Sequence, residues 1–214
     1  MEKIHLKQAL PEVFAGGSSI QSDIWHQDII FDKEMICLIK AASGTGKSSL
    51  CSYIFGYRRD YQGMIFFDDV NIKQIKSKDW NSIRQKELSI MFQELRLFEE
   101  LTALENIQIK NKLTKFKSKK DITNMLERLG IADKTNIPIK ALSFGQRQRV
   151  AFIRALCQPY QFILLDEPIS HLDVENSKEL AKLLLEEASG QGAGIIVTSL
   201  GHQLDLPYSN YFNL

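Results

Sequence analysis

The chain has 214 residues, 27 of them basic and 26 acidic, for a formal net charge of +1, and 44% are hydrophobic. That length suits one sizeable domain or two small ones, able to bury about 70% of the unfolded surface without disulfides. The balanced charge excludes a generic nucleic-acid binder, which carries a strong basic excess. No apolar run approaches the roughly 18 residues that span a bilayer, so any membrane role calls for a separate membrane partner.

The first residues, "MEKIHLKQALPEVF", contain no uninterrupted apolar stretch, and no signal peptide is expected. "EMICLIK" (34–40) reads as a strand running into the glycine-rich turn "AASGTGKSS" (41–49), which opens an apolar helix, "SSLCSYIFG". The phosphate-loop template is G-x-x-x-x-G-K-[ST]. Gly46, Lys47 and Ser48 match it, while Ala41 stands where the first glycine belongs. A left-handed backbone at Ala41 would cost about 1–2 kcal/mol. Gly44 and Gly46 let backbone N–H groups converge on phosphate oxygens at a helix N-terminus. Lys47 would reach the terminal phosphates and Ser48 would offer a hydroxyl to Mg²⁺. Lys40, at the end of a buried strand, is expected to snorkel outward.

"GMIFFDDV" (63–70) and "LSIMFQ" (88–93) are further short strand-like runs. "KNKLTKFKSKK" (110–120) holds six lysines and no acid. It reads either as a patch facing anionic lipid or an acidic partner, or as a solvated linker or helix face. "DITNMLERLGI" spaces Ile122, Met125, Leu126 and Leu129 as a helix, with Gly130 as its C-terminal cap. "FILLD" (162–166) and "AGIIVTS" (193–199) read as strands buried on both faces. Between them, Asp173 caps a helix with Leu180, Leu183, Leu184 and Ala188 on one face. Strands alternating with helices point to an α/β protein with a parallel sheet. Cys37, Cys51 and Cys157 are scattered among apolar residues, as reduced core thiols of a cytosolic protein would be.

Two adjacent acids end "FILLDEP". Read alone, they are a plain strand terminus. Beside a phosphate loop, Asp166 is placed to hold Mg²⁺, whose charge offsets the repulsion between the carboxylates. Glu167, one residue on, leaves the strand on the other face and can act as general base toward a water molecule. Pro168 ends the ladder. In "ALSFGQRQRVAFIRAL" (141–156), Ser143 and Gln146 fit a capping box at a helix start. That is an ordinary capped helix, or a ready anion site.

Taken in order, these segments resemble the nucleotide-binding subunit of ATP-binding cassette (ABC) transporters over nearly the whole chain. "AASGTGKSS" resembles Walker A, "MFQE" carries the Q-loop glutamine Gln93, and "LSFGQ" resembles the signature motif with Phe144 in place of a glycine. "FILLDEP" resembles Walker B with its glutamate, and "SHLD" (170–173) the D-loop. "RLFEELTALENI" is similar to the compact cassettes of lipoprotein-release, macrolide-export and cell-division complexes. The resemblance implies a P-loop NTPase fold: a mostly parallel sheet flanked by helices, a small antiparallel β region and a helical subdomain. It implies one ABC ATPase domain over 1–214, with a RecA-like core at about 1–93 and 141–214 and a helical subdomain at about 94–140. Its nucleotide-binding set would be Phe14, Ala41, Ser43, Gly44, Thr45, Gly46, Lys47, Ser48 and Ser49, with Ser143, Gly145 and Gln146 for the partner's nucleotide. Phe14 reads equally as an adenine-stacking ring and as a core residue. Mg²⁺ would fall to Ser48, Gln93 and Asp166, and catalysis to Glu167, Gln93 and Ser199.

The family usually carries a histidine after the last strand, and here "IIVTSLGHQ" has Ser199 in that place, with His202 three residues later. Loss of one charged hydrogen bond costs about 1.5–3 kcal/mol, on the order of ten- to a hundred-fold in rate. Either His202 bends back as a substitute, or hydrolysis is slow and ATP-driven closure does most of the work. His5, His26 and His171 show no metal-ligand spacing. The function implied is an ATP-hydrolysing subunit that dimerises head to tail with ATP and drives separate transmembrane permease subunits from the cytoplasmic face of the membrane. The alternative is an ATP-gated regulatory module that transmits force and moves no substrate. A nucleic-acid role is disfavoured, because the chain has no second cassette, no coiled-coil insertion and no basic excess.

Overall fold

In a computed structural model, which describes residues 1–16 and 21–214, strands and helices follow one another in three stretches. The first holds β1 (Lys3–Pro11), β2 (Asp28–Asp32), β3 (Ile36–Lys40), α1 (Lys47–Ile54), β4 (Tyr61–Phe67) and β5 (Val70–Asn71). The second holds α2 (Ser77–Lys86), β6 (Leu88–Met91), α3 (Ala103–Thr114) and α4 (Lys119–Arg128). The third holds α5 (Phe144–Leu156), β7 (Phe162–Asp166), α6 (Val174–Ser189), β8 (Gly194–Ser199) and β9 (Asn210–Asn213). Five strands pair in parallel in the order β6-β7-β8-β3-β9. A separate antiparallel sheet has the order β2-β1-β4-β5.

The inner parallel strands β7, β8 and β3 are apolar on both faces because each face serves a different core. Ile163 and Leu165 of β7, with Ile195 and Val197 of β8, join the cluster formed by α3, α4, α5 and α6. Phe162, Leu164 and Ile196 join the opposite cluster, with α1 and the antiparallel sheet. A strand's period of two sends successive side chains to these two cores. The helices of residues 94–140 therefore share one continuous apolar cluster with the sheet; α3 and α4 pack on α5.

The α/β expectation with a parallel sheet holds, as do the strand runs at 34–40, 162–166 and 193–199, within a residue or two. "GMIFFDDV" is two strands, because Asp68 turns left-handed (φ 52°) between β4 and β5. In α4, Ile122, Met125 and Leu126 are buried, and Gly130 follows at φ 62°. Asp173 caps α6 by accepting from the Asn176 N–H at 2.9 Å. All three cysteines are free and buried, and burial pushes the Cys37 and Cys157 thiols up to about 12.

Neither reading of the lysine-rich segment describes all of it. It is a corner: α3 stops at left-handed Lys115, and α4 starts on a capping box between Ser118 and Asp121. Lys112, Lys115, Lys119 and Lys120 are exposed. Lys117 pairs with Glu187 of α6, and Lys110 is drawn inward to donate to Gln158 and to the Arg84 carbonyl. Burial, with repulsion from Arg154 and Arg84, pulls the Lys110 ammonium from 10.5 down to about 8.

A depressed pKa means the folded chain binds fewer protons than the unfolded chain between those two values. The penalty for charging Lys110 is complete below about pH 8 and fades as the pH rises toward 10.5. In denaturant titrations, the stability difference between wild type and Lys110→Met should therefore move toward wild type across that window, by up to about 3 kcal/mol. A pH-independent difference would contradict the assignment.

Candidate functional site

Three segments converge at the C-terminal ends of the parallel strands. β8 lies between β7 and β3, with Asp166 opposite Thr198 and Lys40 opposite Ser199. The Thr198 hydroxyl donates to Asp166 Oδ1 at 2.6 Å, and the Ala41 N–H donates to the Ser199 carbonyl at 3.1 Å. One strand end thus anchors both the acidic strand and the start of the glycine-rich loop. Lys40 is exposed and lies 5.4 Å from the Tyr211 ring centre, so its charge escapes the sheet as expected.

The loop enters α1 through left-handed Gly44 (φ 85°) and Gly46 (φ 100°), which is the N-cap. Such angles suit glycine alone among common residues. Ala41 is not left-handed, so the strain considered for alanine there does not arise. Lys47 is buried; its ammonium donates to the Ala42 carbonyl at 3.0 Å and lies 3.6 Å from Glu167 Oε1. An ammonium carries three donors; the ties to the Ala41 carbonyl (3.5 Å) and to Glu167 are long, and only that to Ala42 has ordinary length. Thr45 donates its hydroxyl to the Ala42 carbonyl, Ser43 is exposed, and the Ser49 hydroxyl accepts from Arg58 at 2.8 Å.

Phe14 is partly buried against the core and also adjoins the loop: a Cβ on Gly46 would lie 3.3 Å from its ring. The same Cβ would lie 3.1 Å from Trp25, whose indole N–H donates to the Thr45 carbonyl at 3.0 Å. Trp25 is a support that sequence reasoning missed; its partner is a backbone carbonyl, which leaves no motif.

Asp166 and Glu167 are both buried. The strand ends at Asp166, and Glu167 is left-handed at φ 52°. Strand alternation, expected to part the two carboxylates, does not do so; the turn aims Glu167 at Lys47 instead. A non-glycine residue held in this region marks strain maintained by its surroundings. Here those are the Glu167 N–H donating to the Thr198 carbonyl (3.2 Å) and the Gln148 amide donating to the Glu167 carbonyl (3.2 Å). Thr198 and Gln148 were also missed. Both depend on which strand and helix lie beside β7, which pattern alone does not reveal.

Ser48 donates to Gln93 Oε1 at 3.3 Å, so two of the three residues expected to hold Mg²⁺ touch. Asp166 makes no hydrogen bond to either. Hydroxyl, amide and carboxylate oxygens are the hard donors that Mg²⁺ takes, with substrate phosphates and waters completing the shell. The residues present fit such an ion. Among the described residues no cluster of three His, Cys, Asp or Glu side chains forms a metal site.

Ser143 and Gln146 form the expected capping box at the start of α5, with reciprocal bonds of 3.3 and 3.0 Å. Gly145 lets α5 approach the 170–173 segment: a Cβ there would meet the His171 carbonyl at 3.0 Å. The Phe144 ring stands 4.3 Å from that of His171. No hydrogen bond links Ser143, Gly145 or Gln146 to residues 41–49. Ser199 is buried, and its hydroxyl closes the following turn, donating to the His202 carbonyl and accepting from the Gly201 N–H at 3.0 Å. The exposed His202 shares with Glu167 and Ser199 the lining of a cavity of about 130 Å³.

A family model described as ABC transporter matches residues 30–170. An uncharacterized ABC transporter ATP-binding protein of Mycobacterium tuberculosis is 29% identical over 201 residues, covering 92% of this chain and 61% of that protein. The lipoprotein-releasing system ATP-binding protein LolD of Buchnera aphidicola is 33% identical over 77% of this chain and 73% of its own. The methionine import ATP-binding protein MetN of Clostridioides difficile is 34% identical over 77% of this chain, which spans 51% of its length. An ATP-binding cassette solved as a dimer in a post-hydrolysis state, bound to ADP and Pi, superposes with a TM-score of 0.74 at 24% identity, covering 92% of this chain and 87% of that one.

If the left-handed turn at Glu167 is strained, Glu167→Gly should unfold at higher denaturant than Glu167→Ala, by about 1 kcal/mol. Both variants remove the carboxylate, so the comparison isolates the backbone. Equal stability, or a more stable alanine variant, would rule the strain out.

Proposed function

The chain belongs to the ABC transporter family, and from that premise we propose that it is the ATP-binding and ATP-hydrolysing subunit of a membrane transporter. The observation that carries this reading is the ion pair of Lys47, at the mouth of a glycine-rich loop, with Glu167, the residue after the buried Asp166 that ends β7. The loop's N–H groups and the Lys47 ammonium would bind the phosphates of ATP, and Phe14 would face the base. Ser48, Gln93 and Asp166 would hold Mg²⁺, which neutralises charge on the phosphates. Thr198 would hold the Asp166 carboxylate in place by donating its hydroxyl to Oδ1. Glu167 would accept a proton from the attacking water, in a position set by its backbone turn.

The exposed Ser143 cap, remote in bonding from the chain's own phosphate loop, is suited to an anion supplied by a second copy. A head-to-tail, ATP-dependent homodimer follows, with Gly145 and Gln146 completing each partner's site. Residues 94–140 would act as the helical subdomain on a RecA-like core. Among the described residues no helix is long and apolar enough to cross a membrane, so transmembrane permease subunits would be separate, and the chain would sit on the cytoplasmic face. The Ser199 hydroxyl has spent its one donor on the turn, which supports slow hydrolysis.

Two measurements test this. Glu167→Gln with ATP and Mg²⁺ should elute as a dimer, where a persistent monomer would oppose the reading. Ser199→His should raise steady-state ATPase about ten-fold or more, by restoring one charged hydrogen bond; an unchanged rate would show that Ser199 does not limit the reaction.

A further inference from the structure

The lysine-rich corner between α3 and α4 takes no part in the site described above. Residues 110–120 hold six lysines and no acid. Two of the six are occupied: Lys117 pairs with Glu187, and Lys110 turns away into a groove between α2, α3 and α5, beside Arg84 and Arg154. Lys112, Lys115, Lys119 and Lys120 are exposed, and among the described residues none has a carboxylate within ion-pair distance. Asp121, the next acid in the sequence, accepts from the Ser118 N–H at 2.9 Å in the cap of α4. It shares an open depression with Lys119, Lys120 and Glu127, and the two acids offset part of the charge. Leu113, 56% exposed, and the half-buried Phe116 stand between the lysines along the chain.

A bracket of hydrogen bonds holds this corner. Asn111 is buried; its amide donates to the Lys117 carbonyl at 2.9 Å, and its Oδ1 accepts from the Lys117 N–H at 2.8 Å. The Lys115 N–H closes on the Asn111 carbonyl at 2.6 Å. Between these bonds Lys115 is left-handed, at φ 53°, a conformation that glycine takes without strain. A linker needs only length here, and glycine would serve it better. A lysine kept at such a position is accounted for by its charge. The bracket also fixes the backbone of the turn in advance, so presenting the charges to a surface costs little ordering.

We propose that this corner rests directly on an anionic lipid surface, with Lys112, Lys115, Lys119 and Lys120 among the headgroups and Phe116 and Leu113 at their level. This rests on the placement of the chain at a membrane face in the reading above and adds a contact with lipid itself. The four ammonium groups end long, flexible stems. An acidic protein would have to match them with carboxylates in one register, whereas a headgroup layer offers anions at every position. Lysine stems and an aromatic ring suit the boundary between headgroups and acyl chains; a nucleic acid offers no such apolar phase. Each lysine that reaches the surface strengthens binding about five-fold.

The test is co-sedimentation of the full chain, without nucleotide, with vesicles of phosphatidylcholine alone or with about a third phosphatidylglycerol. The chain should partition onto the anionic vesicles and leave the neutral ones, and should come off between about 0.1 and 1 M salt, as the screening length falls from about 10 to 3 Å. Lys112→Gln/Lys115→Gln/Lys119→Gln/Lys120→Gln should lose at least about ten-fold in partition, while arginine at the same four positions keeps it. A control, Lys7→Gln/Lys76→Gln/Lys78→Gln/Lys86→Gln, removes as much charge from exposed lysines elsewhere and should keep most of the binding. No binding, equal binding to neutral vesicles, insensitivity to salt, or an equal loss in the control overturns the proposal. So does retention on a polyglutamate resin without vesicle binding, which would assign the corner to an acidic protein. Circular dichroism melting checks the folding of each variant, and the salt and lipid dependence of the wild-type chain decides the question if one fails to fold. ATP-dependent dimerisation of Glu167→Gln is scored separately, so the ATPase reading stands or falls by itself.

Discussion

A carboxylate buried at the end of a parallel strand is expensive unless a donor meets it. Asp166 is 2% exposed, and the donor is the Thr198 hydroxyl, one strand across. That bond is possible only in one register of β7 against β8, since a shift of one residue would turn Thr198 to the other face. The consequences spread from there. The Thr198 carbonyl receives the Glu167 N–H and so helps hold the left-handed turn. The Ser199 carbonyl receives the Ala41 N–H and ties down the start of the phosphate loop. Two adjacent residues at the end of β8 therefore set the relative positions of the glycine-rich loop and both acids.

The architecture around this junction keeps it rigid by dividing the apolar surface in two. Strands β3, β6, β7 and β8 each feed one core with alternate side chains and the other with those between. The junction at the strand ends is then clamped from both sides. On one side Trp25 and Phe14 back the glycine-rich loop. On the other, Gln148 of α5 reaches the Glu167 carbonyl, and its own amide oxygen has no hydrogen-bond partner. An unsatisfied buried acceptor next to a strained turn is the kind of cost that functional sites carry.

The surface features sort by what they leave unpaired. The start of α5 presents an exposed cap with Phe144 against His171, and the groove between α2, α3 and α5 presents cations without counter-ions. The two features stand at opposite ends of the same helix, α5.

Much of the site was legible in the sequence because it depends on local chemistry. Gly44, Gly46, Lys47 and Ser48 had to be adjacent to make a phosphate loop, and the Ser143–Gln146 capping box spans one helical turn. The strands "EMICLIK", "FILLD" and "AGIIVTS" announced themselves by continuous apolar character, which follows from burial on two faces. What the sequence could not settle is everything that depends on which elements become neighbours. Thr198 serves Asp166, Trp25 serves Thr45, and Lys110 leaves a solvent-like lysine run for a groove, each across tens of residues of chain. The direction of Glu167 was likewise a tertiary decision, since a left-handed residue obeys no strand period and its backbone is held by Thr198 and Gln148. Local spacing determines which groups are present; packing decides which of them meet.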